Sequence, residues 1–142
     1  MILVDANLLI YAIDADSPRH PVARAWLEET LSGTERVGLA WIVVLAFVRL
    51  TTRPGILRHP LPPADAFAYV TSWFDQPCVR PVAPGAGHWP LLRNLLATTG
   101  TAGNLTSDAH LAALALEHGA TVCSADNDFR RFPGLEHVNP LA

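Results

Sequence analysis

Four aspartates each lie where a predicted strand ends or a predicted helix begins; they are Asp5, Asp108, Asp126 and Asp128. Two carboxylates about 4 Å apart repel each other by about 4 kcal/mol at an effective dielectric constant near 20. A group of such acids is therefore tolerable only with a proton or a cation among them. Carboxylate and water oxygens are the ligands that Mg²⁺ and Mn²⁺ prefer, so a divalent ion is the natural counter-charge if the chain brings these acids together.

A divalent ion held by such a group can lower the pKa of a bound water and neutralise a scissile phosphate, which favours phosphodiester hydrolysis as the reaction class. We predict that the metal ligands are Asp5, Asp108 and Asp126, with Asp128 as an outer or second ligand. Asn7 and Ser124 lie close to these acids in the sequence, and we expect them to orient the carboxylates by hydrogen bonds.

Each acid also has a structural explanation when it is taken alone. A carboxylate in the first turn of a helix complements the helix dipole, which is enough to explain Asp108. Asp126 and Asp128 could form a helix cap and a solvated turn. Asp5 is harder to explain in this way, because it interrupts an apolar run that would otherwise be buried.

The histidines and cysteines point to no other chemistry. The six histidines have no metal-ligand spacing, which argues against zinc, and we expect His88, His118 and His137 at the surface near the ends of elements. Cys78 and Cys123 are far apart in the sequence and form no paired motif. They predict no disulfide framework, which fits a reducing cytoplasm.

Strands and helices alternate along the predicted chain. The predicted strands are residues 1–4, 37–39, 79–82 at an edge, 121–124 and 136–138. The predicted helices are residues 8–13, 18–31 with Ser17 as N-cap and Pro18 in the first position, 40–52, 64–74, 86–98 and 107–118, with a flexible loop at 99–104. This alternation indicates an α/β fold in one domain, 1–142, with a parallel sheet covered on both faces. Ligands of such sheets bind beyond the carboxyl ends of the strands, where Asp5 would lie.

Composition excludes several classes of protein. The 142 residues are 50% hydrophobic with a net charge of −3, which excludes a disordered chain and disfavours a passive nucleic-acid-binding module with a basic surface. The longest apolar run, residues 37–48, is shorter than the ~18 residues of a membrane span. An acid at position 5 does not fit a signal peptide, so we expect a soluble, cytoplasmic protein without membrane association.

Four segments of the chain, in order, resemble a known family; they are Val4 to Asn7, Phe47 to Thr52, Ser107 to Ala112 and Ser124 to Phe129. Together they look like the ordered motifs of PIN-domain ribonucleases, and most like the VapC toxins of bacterial toxin–antitoxin pairs. The resemblance implies a three-layer α/β/α sandwich with a central parallel sheet of four to five strands. It also implies endonucleolytic cleavage of RNA that depends on Mg²⁺ or Mn²⁺, a homodimer, and neutralisation by a small VapB-type antitoxin.

One position departs from the family pattern and keeps other functions open. The family usually has a glutamate one residue before Phe47, where this chain has Ala46, which cannot ligate a metal. The favoured hypothesis is a working endoribonuclease in which Asp128 or water takes the share of the glutamate. The alternative is a degenerate PIN domain that binds RNA or a partner protein without cleavage. A phosphotransfer enzyme with Asp5 as covalent nucleophile is disfavoured, because the chain has no lysine to help hold a phosphate.

Arg49 follows Ala46 on the same predicted helix, and its role has two explanations. Arginine presents a planar fork of donors that suits phosphate, so Arg49 could contact the RNA backbone. It could equally pair with a site acid such as Asp5. The sequence alone does not decide between these two roles.

Overall fold

A computed structural model describes residues 1–100 and 102–142 of the chain. The described strands are β1 Ile2–Val4, β2 Val37–Ala40, β3 Val79–Val82, β4 Thr121–Cys123 and β5 His137–Val138. They form one five-stranded sheet in the spatial order β3-β2-β1-β4-β5, and every neighbouring pair is parallel. The predicted parallel sheet is therefore confirmed, including the edge position of β3, where Pro81 has no N–H to donate.

The helices in the described residues are α1 Ala6–Ile13, α2 His20–Ser32, α3 Trp41–Thr52, α4 Pro63–Phe74, α5 His88–Thr99 and α6 Thr106–His118. They flank the sheet, which confirms the predicted three-layer α/β/α class. Short 3-10 turns follow at Gly103–Leu105 and Asn127–Arg131. None of these helices is long and apolar enough to cross a membrane.

The order of the strands creates a crevice between β1 and β4. From β1 the chain moves outward to β2 and β3, and it then returns to the other side of β1 to form β4 and β5. The segments that leave β1 and β4 therefore diverge, and the space beyond the carboxyl ends of these two strands is where such sheets bind ligands. Asp5 and Ser124 are the first residues after these two strands.

The centre of the sheet is packed tightly because its strands are buried on both faces. Leu3 and Val122 are fully buried in neighbouring strands, and Leu3 lies opposite Gly38 of β2. A side chain at Gly38 would collide with the side chains of Leu3 and Val82, so β2 needs a glycine there to approach its neighbours. This rigid centre fixes the strand ends from which the candidate site is built.

Two local predictions differ from the structure. Helix α2 begins at His20 rather than at Pro18, because the Ser17 hydroxyl accepts a hydrogen bond from the Arg19 N–H at 3.2 Å and organises a turn before the helix. In the predicted loop 99–104, α5 extends through Thr99 and a 3-10 turn begins at Gly103. Thr101, which belongs to the same prediction, lies outside the described residues.

Candidate functional site

Asp5 caps α1 at the point where β1 ends. Its backbone N–H donates to the Cys123 carbonyl of β4 at 2.9 Å, which extends the ladder between the strands by one residue. Its carboxylate accepts from the Ala6 N–H at 2.8 Å through Oδ1 and from the Ser124 hydroxyl at 2.6 Å through Oδ2. The Asp5 carboxylate is therefore fixed by both the helix that follows it and the strand beside it.

Ser124 and Asn7 connect the two strand ends through side-chain hydrogen bonds. The fully buried Ser124 Oγ donates to Asp5 and accepts from the Asp126 N–H at 3.0 Å and from Asn7 Nδ2 at 3.1 Å. Asn7 Oδ1 in turn accepts from the Ala125 N–H at 3.3 Å. These bonds join the start of α1 to the segment after β4, so the two segments hold a common geometry.

Asp126 and Asp128 differ in their surroundings. Asp126 caps the 3-10 turn Asn127–Arg131 by accepting the Asp128 N–H at 2.9 Å, and it is half-buried. The Asp128 side chain is exposed and does not line the pocket that Asp126 lines. The structure thus brings Asp126 to the site directly and leaves Asp128 at a greater distance from its centre.

Asp108 lies in the first turn of α6, and its half-buried side chain faces a pocket of about 270 Å³. Asp5 and Asp126 line the same pocket, so the acids from three separate segments meet there. The part of the lining that belongs to α3 is apolar; it consists of Ile42, Val43, Ala46 and Leu50. Ala46, the position of the expected glutamate, therefore lines the same pocket as the acids.

Burial and the neighbouring acids together raise the pKa of Asp5 and of Asp108. Burial is the largest cause that raises the pKa of Asp108 to about 7, and the charges of Asp5, Asp126 and Asp128 raise it further. Burial also raises the pKa of Asp5, in opposition to its hydrogen bonds from Ser124 and Ala6. Asp108 therefore titrates near neutral pH although its place at a helix N-terminus favours the charged form.

The described residues supply no basic side chain to the lining of this pocket. Arg49 is exposed on α3, and within the described chain it forms no ion pair with Asp5 or another site acid. Its guanidinium is therefore available to a phosphate. Among the described residues that line the pocket, the acids therefore have no basic side chain as a counter-charge.

The donor set of the pocket suits a hard divalent cation. Within the described residues no three His, Cys, Asp or Glu side chains are already arranged to hold a metal ion. Mg²⁺ does not require such a cage, because it is commonly bound through one or two carboxylates and keeps several waters. Asp5, Asp108 and Asp126 offer oxygen donors from three separate segments, and a cation would relieve the repulsion that adds to burial in raising the pKa of Asp108.

One prediction about histidine is wrong. His88 is buried rather than at the surface: its Nδ1 lies 2.5 Å from Glu117 Oε1, and its Nε2 lies 2.8 Å from His110 Nδ1. Burial and His88 lower the pKa of His110. His118 is exposed, as predicted, whereas the half-buried His137 packs beneath the segment that follows β4. The spacing of His110 and Glu117 on one face of α6 was the only sequence signal for this cluster.

A profile of the family described as "PIN domain" matches residues 2–135 of this chain. The match covers nearly the whole chain, including all three segments that contribute an acid to the pocket. The chain belongs to the PIN-domain family. The predicted family is thereby confirmed.

Its relatives within that family are VapC proteins. The chain is 45% identical over 142 residues to Ribonuclease VapC37 of Mycobacterium tuberculosis, with 100% of this chain and 99% of that protein covered. It is 42% identical over 141 residues to Ribonuclease VapC33 of the same organism, with 99% of each covered. The solved structure of VapBC2 from Rickettsia felis, bound to a DNA fragment from their promoter, matches with a TM-score of 0.71 at 18% identity over 98% of each chain, which supports the fold.

Proposed function

We propose that this chain is a metal-dependent endoribonuclease and the toxin component of a VapBC-type toxin–antitoxin pair. The observation that carries the proposal is the pocket in which Asp5, Asp108 and Asp126 meet without a basic side chain from the described residues. Relatives that are 42% and 45% identical over the whole chain bear the name Ribonuclease VapC, which supports RNA as the substrate. A cytoplasmic location is part of the proposal, since the RNA is there.

In this mechanism the chain holds and orients acidic oxygens. Asp5, Asp108 and Asp126 would hold Mg²⁺ or Mn²⁺, with Asp128 as an outer ligand, and the bound ion would supply an acidified water and charge for the scissile phosphate. Ser124 and Asn7 keep the Asp5 carboxylate in a fixed orientation through bonds of 2.6 and 3.3 Å. Arg49 is exposed on α3 and would contact the RNA backbone.

Because of Ala46 the pocket has one acid fewer than the family pattern, but the reaction that we assign to it stays metal-dependent cleavage of RNA. The residues that flank it on the same face of α3, Ile42 and Leu50, are apolar and bring no competing ligand. Three carboxylates remain in the lining, and Mg²⁺ needs few protein ligands when water completes its shell. We therefore assign catalysis to the acids of β1, α6 and the segment after β4.

The proposal includes two protein partners. A VapB-type antitoxin that inserts a basic side chain would supply the counter-charge that the described pocket lining lacks, and would thereby block the site. The solved structure of VapBC2 from Rickettsia felis contains, by its name, a VapB protein together with a VapC protein. A second copy of the chain is the other partner: Trp41 and Leu45 of α3 are 52% and 65% exposed, which suits a homodimer surface.

The test uses purified protein with structured RNAs, in Mn²⁺ or Mg²⁺ and in chelator, beside the variants Asp5→Asn and Asp16→Asn. We expect cuts that chelator abolishes and that Asp5→Asn reduces by about 1000-fold, since a metal is worth several kcal/mol in the transition state. Asp16 is an exposed acid outside the pocket, and its variant should cleave like the wild type. Cleavage that persists in chelator or in Asp5→Asn would contradict the proposal.

A further inference from the structure

His137 lies in the edge strand β5, beside the segment that brings Ser124 and Asp126 to the pocket. The backbone of this strand is bonded to the start of that segment, because the Ser124 N–H donates to the Val138 carbonyl at 3.0 Å. From the sequence we expected His137 at the surface, and it has no role in the proposed cleavage of RNA. Its ring nevertheless contacts the segment 124–129 at both ends.

The two contacts of the His137 ring bracket the site segment. At one end the ring Nε2 lies 3.0 Å from the Ser124 carbonyl oxygen. At the other end the ring stacks on Phe129, with centroids 5.7 Å apart and planes inclined by 26°. Phe129 is fully buried and lies in the 3-10 turn that Asp126 caps. One side chain thus supports the first and the last residue of the segment that carries Asp126.

The surroundings of the ring select one tautomer. A carbonyl oxygen only accepts hydrogen bonds, so Nε2 of His137 must carry the proton that bonds Ser124. Nδ1 is buried and has no hydrogen-bond partner among the described residues. A proton on Nδ1 would be an unpaired buried donor, which is costly. The geometry therefore assigns the donated proton to Nε2.

The hydrogen bond from His137 to the Ser124 carbonyl is linked to two acids through the hydroxyl of the same serine. Ser124 Oγ donates to Asp5 at 2.6 Å and accepts the Asp126 N–H at 3.0 Å, so a shift of Ser124 moves both acids. Mg²⁺ tolerates little displacement because it demands near-octahedral geometry. Outer groups that orient metal ligands commonly change metal affinity or activity by about 10- to 100-fold when they are removed.

We propose that His137 is a positioning residue of the acid pocket. By donating from Nε2 to the Ser124 carbonyl while it stacks on Phe129, it holds segment 124–129 so that Asp5 and Asp126 face the same cation. The inference rests on the proposed function for the identity of that cation. It assigns to His137 no contact with substrate and no part in proton transfer.

The test compares His137→Met with His137→Gln, because the two side chains have similar length and shape and only glutamine can donate a hydrogen bond. Mn²⁺ affinity is measured by calorimetry, and kcat and KM are measured on a cleaved RNA. For His137→Met we expect Mn²⁺ affinity and kcat to fall by about 10-fold with KM unchanged. His137→Gln should recover most of both. Equal values for His137→Met and the wild type, or a glutamine variant as weak as the methionine variant, would overturn the proposal.

His118→Met is the matched control, since His118 Nε2 also lies near a backbone carbonyl, that of Ala83 at 3.1 Å, and does not line the pocket. It should leave affinity and kcat unchanged. Nitrogen-15 NMR of the metal-free wild type gives a readout independent of activity and of variant folding: Nε2 of His137 should carry a proton, and an unprotonated Nε2 overturns the inference. A wild type that neither binds Mn²⁺ nor cleaves RNA contradicts the proposed function instead, whatever the tautomer.

Discussion

Helix α6 carries one partly buried acid near each end, and the two acids have opposite surroundings. Asp108 is in the first turn, where the helix dipole favours a negative charge. Glu117 is in the last turn, where the dipole disfavours it. If the helix dipole alone set the stability of each charged carboxylate, the charge on Asp108 would be the more stable of the two. The contacts around them reverse this order.

Glu117 is satisfied by partners from its own chain. Its Oε1 is 2.5 Å from His88 Nδ1, its Oε2 accepts the Gly85 N–H at 2.9 Å, and His88 continues to His110. These bonds tie the start of α5 and the residues before it to α6. Both side chains of the pair are only 11% exposed, so the carboxylate depends on these partners.

Asp108 has three other acids as electrostatic neighbours and no basic side chain of the described residues in its pocket. Its pKa is raised to about 7, by burial first and then by these acids. A carboxylate cluster that the fold leaves uncompensated differs from one that the fold pairs internally: it destabilises the chain until something positive binds. The comparison therefore separates an acid kept for structure from acids kept for a ligand.

Removing each acid in turn is the strongest way to break this comparison. Glu117→Ala leaves His88 buried without its acceptor, which should cost about 3 kcal/mol and lower Tm by about 9 °C for a domain of this size. Asp108→Ala removes a charge that the pocket disfavours, so Tm should stay equal or rise. Thermal unfolding in chelator at pH 7.5, followed by circular dichroism, measures both.

Glu28→Ala is the control for these variants, because Glu28 forms an exposed pair with Arg24 on α2 and such pairs contribute little. Its Tm should change by no more than about 2 °C. A loss of stability in Asp108→Ala as large as that in Glu117→Ala would show that the two acids play the same structural part. The comparison would then be wrong.

Cation binding sharpens the comparison with a slightly smaller effect. Mn²⁺ at 100 times its Kd should stabilise the folded protein by about 2.7 kcal/mol, which raises Tm by about 8 °C. Asp108→Asn should lose most of this shift, whereas Glu117→Gln should keep it although it starts from a lower Tm. Thermal scans with and without Mn²⁺ measure the shifts. An undiminished shift in Asp108→Asn would place the cation elsewhere.

The acids of the candidate pocket could be proposed from the sequence, whereas the contacts of His88 with Glu117 and His110 could not. Apolar runs without alternation identify buried parallel strands, and the residue after such a strand lies at the ligand-binding edge. Asp5 and Asp126 could therefore be placed from local pattern alone. The order of the strands could not, because it depends on which side of β1 each crossover packs.

The burial of His88 and the contacts of His137 were not predicted, because their partners are distant in the sequence. His88 bonds residues 29 and 22 positions away, and His137 bonds a carbonyl 13 positions away. No local periodicity encodes the packing of α5 on α6 or of β5 on β4. A histidine near the end of an element is usually exposed, so only the folded arrangement reveals the contacts of the buried His88 and the half-buried His137.

The smallest predicted effect is a pH dependence of the metal-free protein. The Asp108 carboxyl has a pKa of about 7 in the folded chain, against the ordinary value of 3.8 that we take for the unfolded chain. Stability that is fully present below about pH 3.8 is therefore lost as pH rises through about 7, because the unfolded chain releases this proton more readily.

Asp108→Asn has no carboxyl proton at this position, so its stability lacks this pH dependence. Because Asp108 is only half-buried, solvent screening reduces the effect of this shift to roughly 1 kcal/mol, so in chelator the Tm of the wild type relative to that of Asp108→Asn should fall by about 3 °C between pH 5 and pH 8. Saturating Mn²⁺ should abolish this fall, since the cation favours the ionised form. A Tm difference that stays constant or grows with pH would mean that Asp108 is already compensated within the fold, and the contrast with Glu117 would disappear.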